Sequence, residues 1–153
     1  AGVFDYVPEN CKSFVNPDGG TIFAKIKDKW VPILTSEAKK QGTNDIRLLE
    51  GKSKQALGNA IERAYKNVEE FRILYSSCFW FNYFVFARGC DFIKGSPILD
   101  RLDALTKYKP RNTIYTFDDK QLVSLFVNPE GFTKQFVYDK MYQSTKSILD
   151  KVV

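Results

Sequence analysis

Apolar residues recur at helical intervals along much of this chain. From Leu57 they step by fours and threes through Ile61, Ala64, Val68, Phe71, Tyr75 and Cys78. That spacing draws one apolar stripe along a long helix. Glu62, Arg63, Lys66, Glu69, Glu70 and Arg72 fill its other side. Ser53 suits the N-cap, and the pattern carries the helix to about Lys94. Gly95-Ser96-Pro97 then breaks it, with Ser96 as cap and Pro97 in the first helical position of the next helix.

Other segments read the same way. A first helix is expected from Thr21 to about Gly42, with Ile22, Phe23, Ile26, Trp30, Ile33 and Leu34 inward and a kink at Pro32. After Pro97 a short helix carries Ile98, Leu99, Leu102 and Leu105. Asp118 caps a fourth bearing Leu122, Val123, Leu125 and Phe126, which Pro129 stops. Thr133 caps a fifth, with Phe136, Val137, Met141, Ile148, Leu149 and Val152 inward. Asn112–Phe117 and Phe14-Val15 are the weak strand candidates, and nothing reads as a hairpin. The expected fold is all-α: an irregular bundle of about five helices around one long central helix. Residues 1–153 form a single domain, whose first twenty or so residues, punctuated by Pro8, Pro17 and Gly19-Gly20, are irregular.

Composition sharpens one feature. Hydrophobic residues make up 44% and charged residues 27%, a globular balance, but 13 Phe, 8 Tyr and 2 Trp are many rings for a small core. They concentrate between Cys78 and Ala87, where only Asn82 is strongly polar. A helix apolar on every side is either wrapped by its neighbours or shows rings to a membrane or partner. Phe79, Trp80, Phe81, Tyr83, Phe84 and Phe86 are therefore candidate contact residues.

The net charge of +5 adds a second component. Lys25 and Lys29 precede the Lys39-Lys40 pair, Lys52 and Lys54 precede the long helix, and Lys107, Lys109 and Arg111 surround Pro110. Together they make a positive face for an anionic membrane surface or coat glycoprotein. No RNA-binding signature or helix-turn-helix spacing accompanies them, so nucleic acid is not expected as a partner.

Candidate chemistry is sparse. The chain has no histidine, which removes the usual general base and the commonest metal ligand. There is no phosphate-binding glycine loop. Asp100 and Asp103 lie one turn apart at a helix start, where carboxylates favour the dipole, and Asp118-Asp119 reads as a capping pair. A carboxylate-only enzyme would need a pocket around these residues. Cys11, Cys78 and Cys90 form no CxxC pair. On one continuous helix Cys78 and Cys90 would lie about 18 Å apart, too far to bridge. No run is long and apolar enough to span a membrane, and a start at Ala1 fits a processed secreted protein or a trimmed chain.

The long aromatic helix with Asn82-Tyr83, the Gly95-Ser96-Pro97 break, the following Arg101-Leu102 step and the basic charge resemble the abalone sperm acrosomal proteins, lysin and its membrane-fusing paralogue. The resemblance spans Ser53 to Leu105. It implies a secreted, non-enzymatic protein of fertilisation, stored in the acrosomal vesicle and acting without cofactor or metal. Promotion of sperm–egg membrane fusion is the leading expectation, with Phe79, Trp80, Phe81, Phe84 and Phe86 meeting lipid. The alternatives are a protein-interaction module, including a homodimer, and stoichiometric dissolution of the egg envelope.

Overall fold

The computed structural model describes residues 17–41, 44–53, 59–74, 81–104, 111–114 and 123–152. The fold is α/β, not all-α. Its centre is a four-stranded sheet in the order β1-β2-β3-β4, formed by β1 (Thr21–Ile26), β2 (Lys29–Lys40), β3 (Asn82–Arg88) and β4 (Val123–Asn128). β1 and β2 are antiparallel, and β2, β3 and β4 run parallel. The helices are α1 (Asn44–Leu49), α2 (Asn59–Leu74), α3 (Pro97–Ala104) and α4 (Lys134–Val152), with a short 3-10 turn at Cys90–Phe92.

The expected first helix is instead the β1–β2 hairpin. Lys27 and Asp28 turn it with positive φ, 46° and 64°. A two-residue turn with that geometry matches the twist of the flanking strands. Pro32 does not kink a helix. It sits where the ladder register slips, between Ile22 and Phe23, and leaves Ile33 without a paired residue. Ile33 and Leu34 are both buried in the same apolar cluster as a result.

The long central helix is corrected as well. Its regular stripe holds through α2, where Ala64, Val68 and Phe71 are buried. The aromatic run beyond it is β3, in which every residue from Asn82 to Ala87 is buried. A strand inside a parallel sheet is covered on both faces, so it reads as apolar on all sides. That property is shared with a wrapped helix, and periodicity alone does not separate the two. The expected fourth helix is likewise β4 from Val123 onward; Asp118 and Leu122 lie outside the described residues.

Two helices are where the sequence places them. Ser96 precedes α3, with its carbonyl accepting from Leu99 N–H at 3.0 Å and Pro97 in the first position. Thr133 caps α4, its hydroxyl accepting from Phe136 N–H at 3.1 Å.

Right-handed crossovers that step β2→β3→β4 in one direction must leave their helices on one face. Accordingly α2 and α3 share a cluster with Tyr83, Val85, Ala87, Val123 and Leu125. The opposite face carries Phe84, Phe86 and Phe126, which α4 covers through Ile148, Phe136 and Met141. Glu37 and Lys39 pair in register with Val85 and Ala87, so they belong to the α2 face.

Candidate active site

β2 places Glu37 and Lys39 two residues apart, and side chains at i and i+2 of a strand project from one face. A tight turn delivers the third member. Gly20 N–H donates to the Pro17 carbonyl at 3.0 Å, and Gly20 has φ +82°. The turn docks on Ser36 through three bonds. Gly19 N–H donates to the Ser36 carbonyl at 2.9 Å and Ser36 N–H donates to the Gly20 carbonyl at 3.0 Å. The Ser36 hydroxyl donates to the Gly19 carbonyl at 2.8 Å. This docking requires a glycine at 19, because a Cβ there would meet Ser36 Oγ at 2.2 Å. Asp18 is thereby held beside the strand.

The three side chains converge. Lys39 Nζ lies 3.7 Å from Asp18 Oδ2 and donates to Glu37 Oε1. Glu37 is 3% exposed, while the Asp18 side chain is 65% exposed, so the cluster runs from the core to solvent. Asn67 of α2 donates to Glu37 Oε1 at 2.6 Å, and the Tyr83 hydroxyl of β3 donates to Glu37 Oε2 at 2.7 Å. A carboxylate this buried is tolerated because it is so well hydrogen-bonded.

Two carboxylates that converge on one cationic point suit a hard divalent cation. Magnesium is commonly held by one or two carboxylates, with waters and substrate phosphates completing its shell. The ammonium of Lys39 stands at that point and shows that positive charge is accepted there. Among the described residues, no three or more His, Cys, Asp or Glu side chains are grouped so that they could hold a metal ion by themselves. Asp18 and Glu37 therefore fit a magnesium ion completed by a bound phosphate better than an all-protein metal cage.

The sequence-derived site residues do not assemble elsewhere. Phe81, Tyr83 and Phe84 are at most 1% exposed and Phe86 is 7% exposed, so these rings are core. Phe79, Trp80, Lys54, Lys107, Lys109 and Asp118 lie outside the described residues. Lys25 pairs with Asp28 at 3.2 Å and Lys52 with Glu50 at 2.6 Å. Arg111 forks onto Asp103 at 2.9 and 3.0 Å, so both serve the fold. Lys29 is exposed at the start of β2, and Asp100 is exposed on α3. Cys90 is a half-buried thiol beyond β3, 3.7 Å from Asp91 Oδ1, and the intervening strand rules out one continuous helix from position 78 to 90.

The sequence pattern did not single out Asp18 or Glu37, and it placed Lys39 only in a general positive face. Read as a helix, Glu37 and Lys39 face nearly opposite ways; read as a strand, they share a face. The signal present was Pro17-Asp18-Gly19-Gly20 upstream of an acidic-x-basic triplet, Glu37-Ala38-Lys39, that follows the β-branched Val31, Ile33 and Thr35.

A family model for the restriction endonuclease EcoRI matches residues 9–105. This chain belongs to that family. The match includes Asp18, Glu37, Lys39, Asn67 and Tyr83. The type II restriction enzyme EcoRI of Escherichia coli is 33% identical over 122 residues, covering 61% of this chain and 43% of that enzyme. The type II restriction enzyme RsrI of Cereibacter sphaeroides is 40% identical over 101 residues, covering 58% of this chain and 35% of that enzyme. The chain thus spans less than half the length of either relative.

Membership overturns the resemblance to abalone sperm proteins. The short motifs behind it, Asn82-Tyr83 and Arg101-Leu102, lie on a buried strand and an α/β crossover helix, not on a helical bundle. The non-enzymatic fertilisation role falls with it, as do the membrane or egg-coat partner and the secreted acrosomal location, since the relatives are bacterial restriction enzymes. The exclusion of nucleic acid rested on the lack of an RNA-binding signature or helix-turn-helix spacing, and family membership overturns it.

Proposed function

We propose that the chain hydrolyses phosphodiester bonds in double-stranded DNA with the help of magnesium, as part of a restriction endonuclease. The convergence of Asp18, Glu37 and Lys39 at one end of β2, within the family-matched segment, carries this reading. A magnesium ion held by Asp18 and Glu37 would polarise a phosphate oxygen and lower the pKa of a bound water.

The chain's own groups do the rest. Glu37 is fixed by Asn67 and Tyr83, so its oxygens keep their place when the surroundings change. Asp18, on the exposed turn, meets the incoming phosphate group first. The Lys39 ammonium is a point charge within reach of both carboxylates. With a divalent cation held by Asp18 and Glu37, the Lys39 ammonium would be free to donate to the attacking water and the phosphate oxygens. The net charge of +5 favours approach to a polyanion, with affinity that falls as salt rises.

The test is cleavage of supercoiled plasmid DNA by the purified chain with magnesium and with EDTA. Nicked or linear product that EDTA abolishes is expected. Glu37→Gln and Lys39→Met should each lower the rate by about 10²–10³-fold, the usual cost of removing one transition-state donor or ligand. Cleavage that survives Glu37→Gln, or that is absent from the unaltered chain with magnesium, would overturn the reading.

A further inference from the structure

Glu37 is the most enclosed charged group described, on an interior strand beneath α2. A carboxylate offers about four lone-pair positions. Asn67 and Lys39 take two on Oε1, and Tyr83 takes one on Oε2. About one position is left, on Oε2, and a second opens on Oε1 when Lys39 swings away toward a phosphate. The two neutral donors come from different elements. Tyr83 is a fully buried β3 side chain whose ring lies 5.4 Å from Phe71 of α2. Asn67 is one residue before Val68, which is packed in the same cluster.

We infer that Asn67 and Tyr83 are positioning residues for the divalent cation. They clamp Glu37 from α2 and β3 with one bond on each oxygen, which leaves about one direction on each for the metal and Lys39. This rests on the reading of Asp18 and Glu37 as cation ligands. Its physical basis is that ligating carboxylates are themselves hydrogen-bonded, and that losing such a partner weakens metal binding by about 10–100-fold. Without the clamp a buried carboxylate turns to find other donors and no longer shares a metal with Asp18. Lys39 supplies a donor but cannot replace the clamp, because it must leave Oε1 when the cation and substrate arrive.

The measurement is Mn²⁺ titration of the full chain by electron paramagnetic resonance, with thermal melting in EDTA alongside. Tyr83→Phe keeps the ring and removes only the hydroxyl. Asn67→Ala removes the other donor from a half-buried position, so at least one of the two should fold. Each is expected to raise the Mn²⁺ Kd by about 10–100-fold, and Asn67→Gln, which keeps an amide donor, should recover part of the loss. A purely structural role would lower the melting temperature in EDTA and leave the Kd unchanged; that result overturns the inference. Glu37→Gln separates the two levels. If the unaltered chain and Glu37→Gln bind Mn²⁺ alike, the cation reading itself is wrong and the inference falls with it. If Glu37→Gln loses the metal while both clamp variants keep it, only the inference falls.

Discussion

Gly19→Ala tests whether the turn carrying Asp18 is docked as described. An ideal Cβ at residue 19 would lie 2.2 Å from Ser36 Oγ, 2.7 Å from the Ser36 carbonyl oxygen and 2.9 Å from its carbonyl carbon. The hydroxyl can rotate away, but the carbonyl belongs to a strand paired on both sides. Restoring an ordinary 3.4 Å contact moves the turn back from that oxygen by about 0.7 Å, the difference between 3.4 and 2.7. The retreat strains the Gly19 N–H bond at 2.9 Å and the Ser36 hydroxyl bond at 2.8 Å. At about 1 kcal/mol each, the loss is about 2 kcal/mol. For a chain of this size that lowers Tm by about 4–8 °C. The effect on rate should be larger in proportion, since a misplacement near 1 Å can cost about 10²-fold.

Gly20→Ala is the control for Gly19→Ala. It has nothing within 4 Å of its added Cβ but carries φ +82°. It should cost about 1–2 kcal/mol of backbone strain without shifting Asp18 against Ser36. Plasmid cleavage rates and thermal melts of both variants decide the matter. A Gly19→Ala chain that melts and cuts like the unaltered one would refute the docking. So would a Gly20→Ala chain with the larger loss of cleavage.

Three further outcomes follow from the packing. Phe126 is 1% exposed, with ring centroids 5.5 Å from Phe86, 6.0 Å from Phe84 and 5.6 Å from Phe136. Phe126→Ala should destabilise the fold by about 3–5 kcal/mol in urea unfolding, and a small loss would contradict a buried aromatic array. Asn82 donates to Ser144 at 2.9 Å and accepts from Ser124 at 3.3 Å, both buried, which ties β3, β4 and α4 together. Asn82→Ala should cost about 1–3 kcal/mol by the same assay, and a neutral change would mean the two hydroxyls find other partners. The Asp103–Arg111 fork is partly exposed, at 44% and 26%. A double-mutant cycle there should give a coupling of about 1 kcal/mol or less, and a much larger value would mark a site and not a surface brace.

The candidate site and half of the fold were hidden in the sequence for one physical reason. Local pattern reports which residues seek burial, but not what buries them. At α2, α3 and α4 one face meets the sheet and the other meets solvent, so the helical stripe, the Ser96 cap and the Thr133 cap are all visible in the chain. At β3 both faces are covered, one by α2 and α3 and the other by α4. The run from Asn82 to Ala87 then has no polar face, and strand and wrapped helix look alike. In β2 the slip at Ile33 further breaks the alternation that would have marked a strand.

The site inherits that ambiguity. Pro17 to Gly20 announces a turn in the sequence, as it should, because proline and paired glycines shape the backbone locally. Which strand the turn docks on depends on Ser36, far along the chain, and on the hairpin between them. Glu37 and Lys39 become partners only once β2 is a strand. They acquire Asn67 and Tyr83 only once α2 and β3 pack on that face. Helix stripes, caps and turn residues are short-range properties and belong to the sequence. The meeting of Asp18, Glu37 and Lys39 is long-range, and only the packed sheet brings it about.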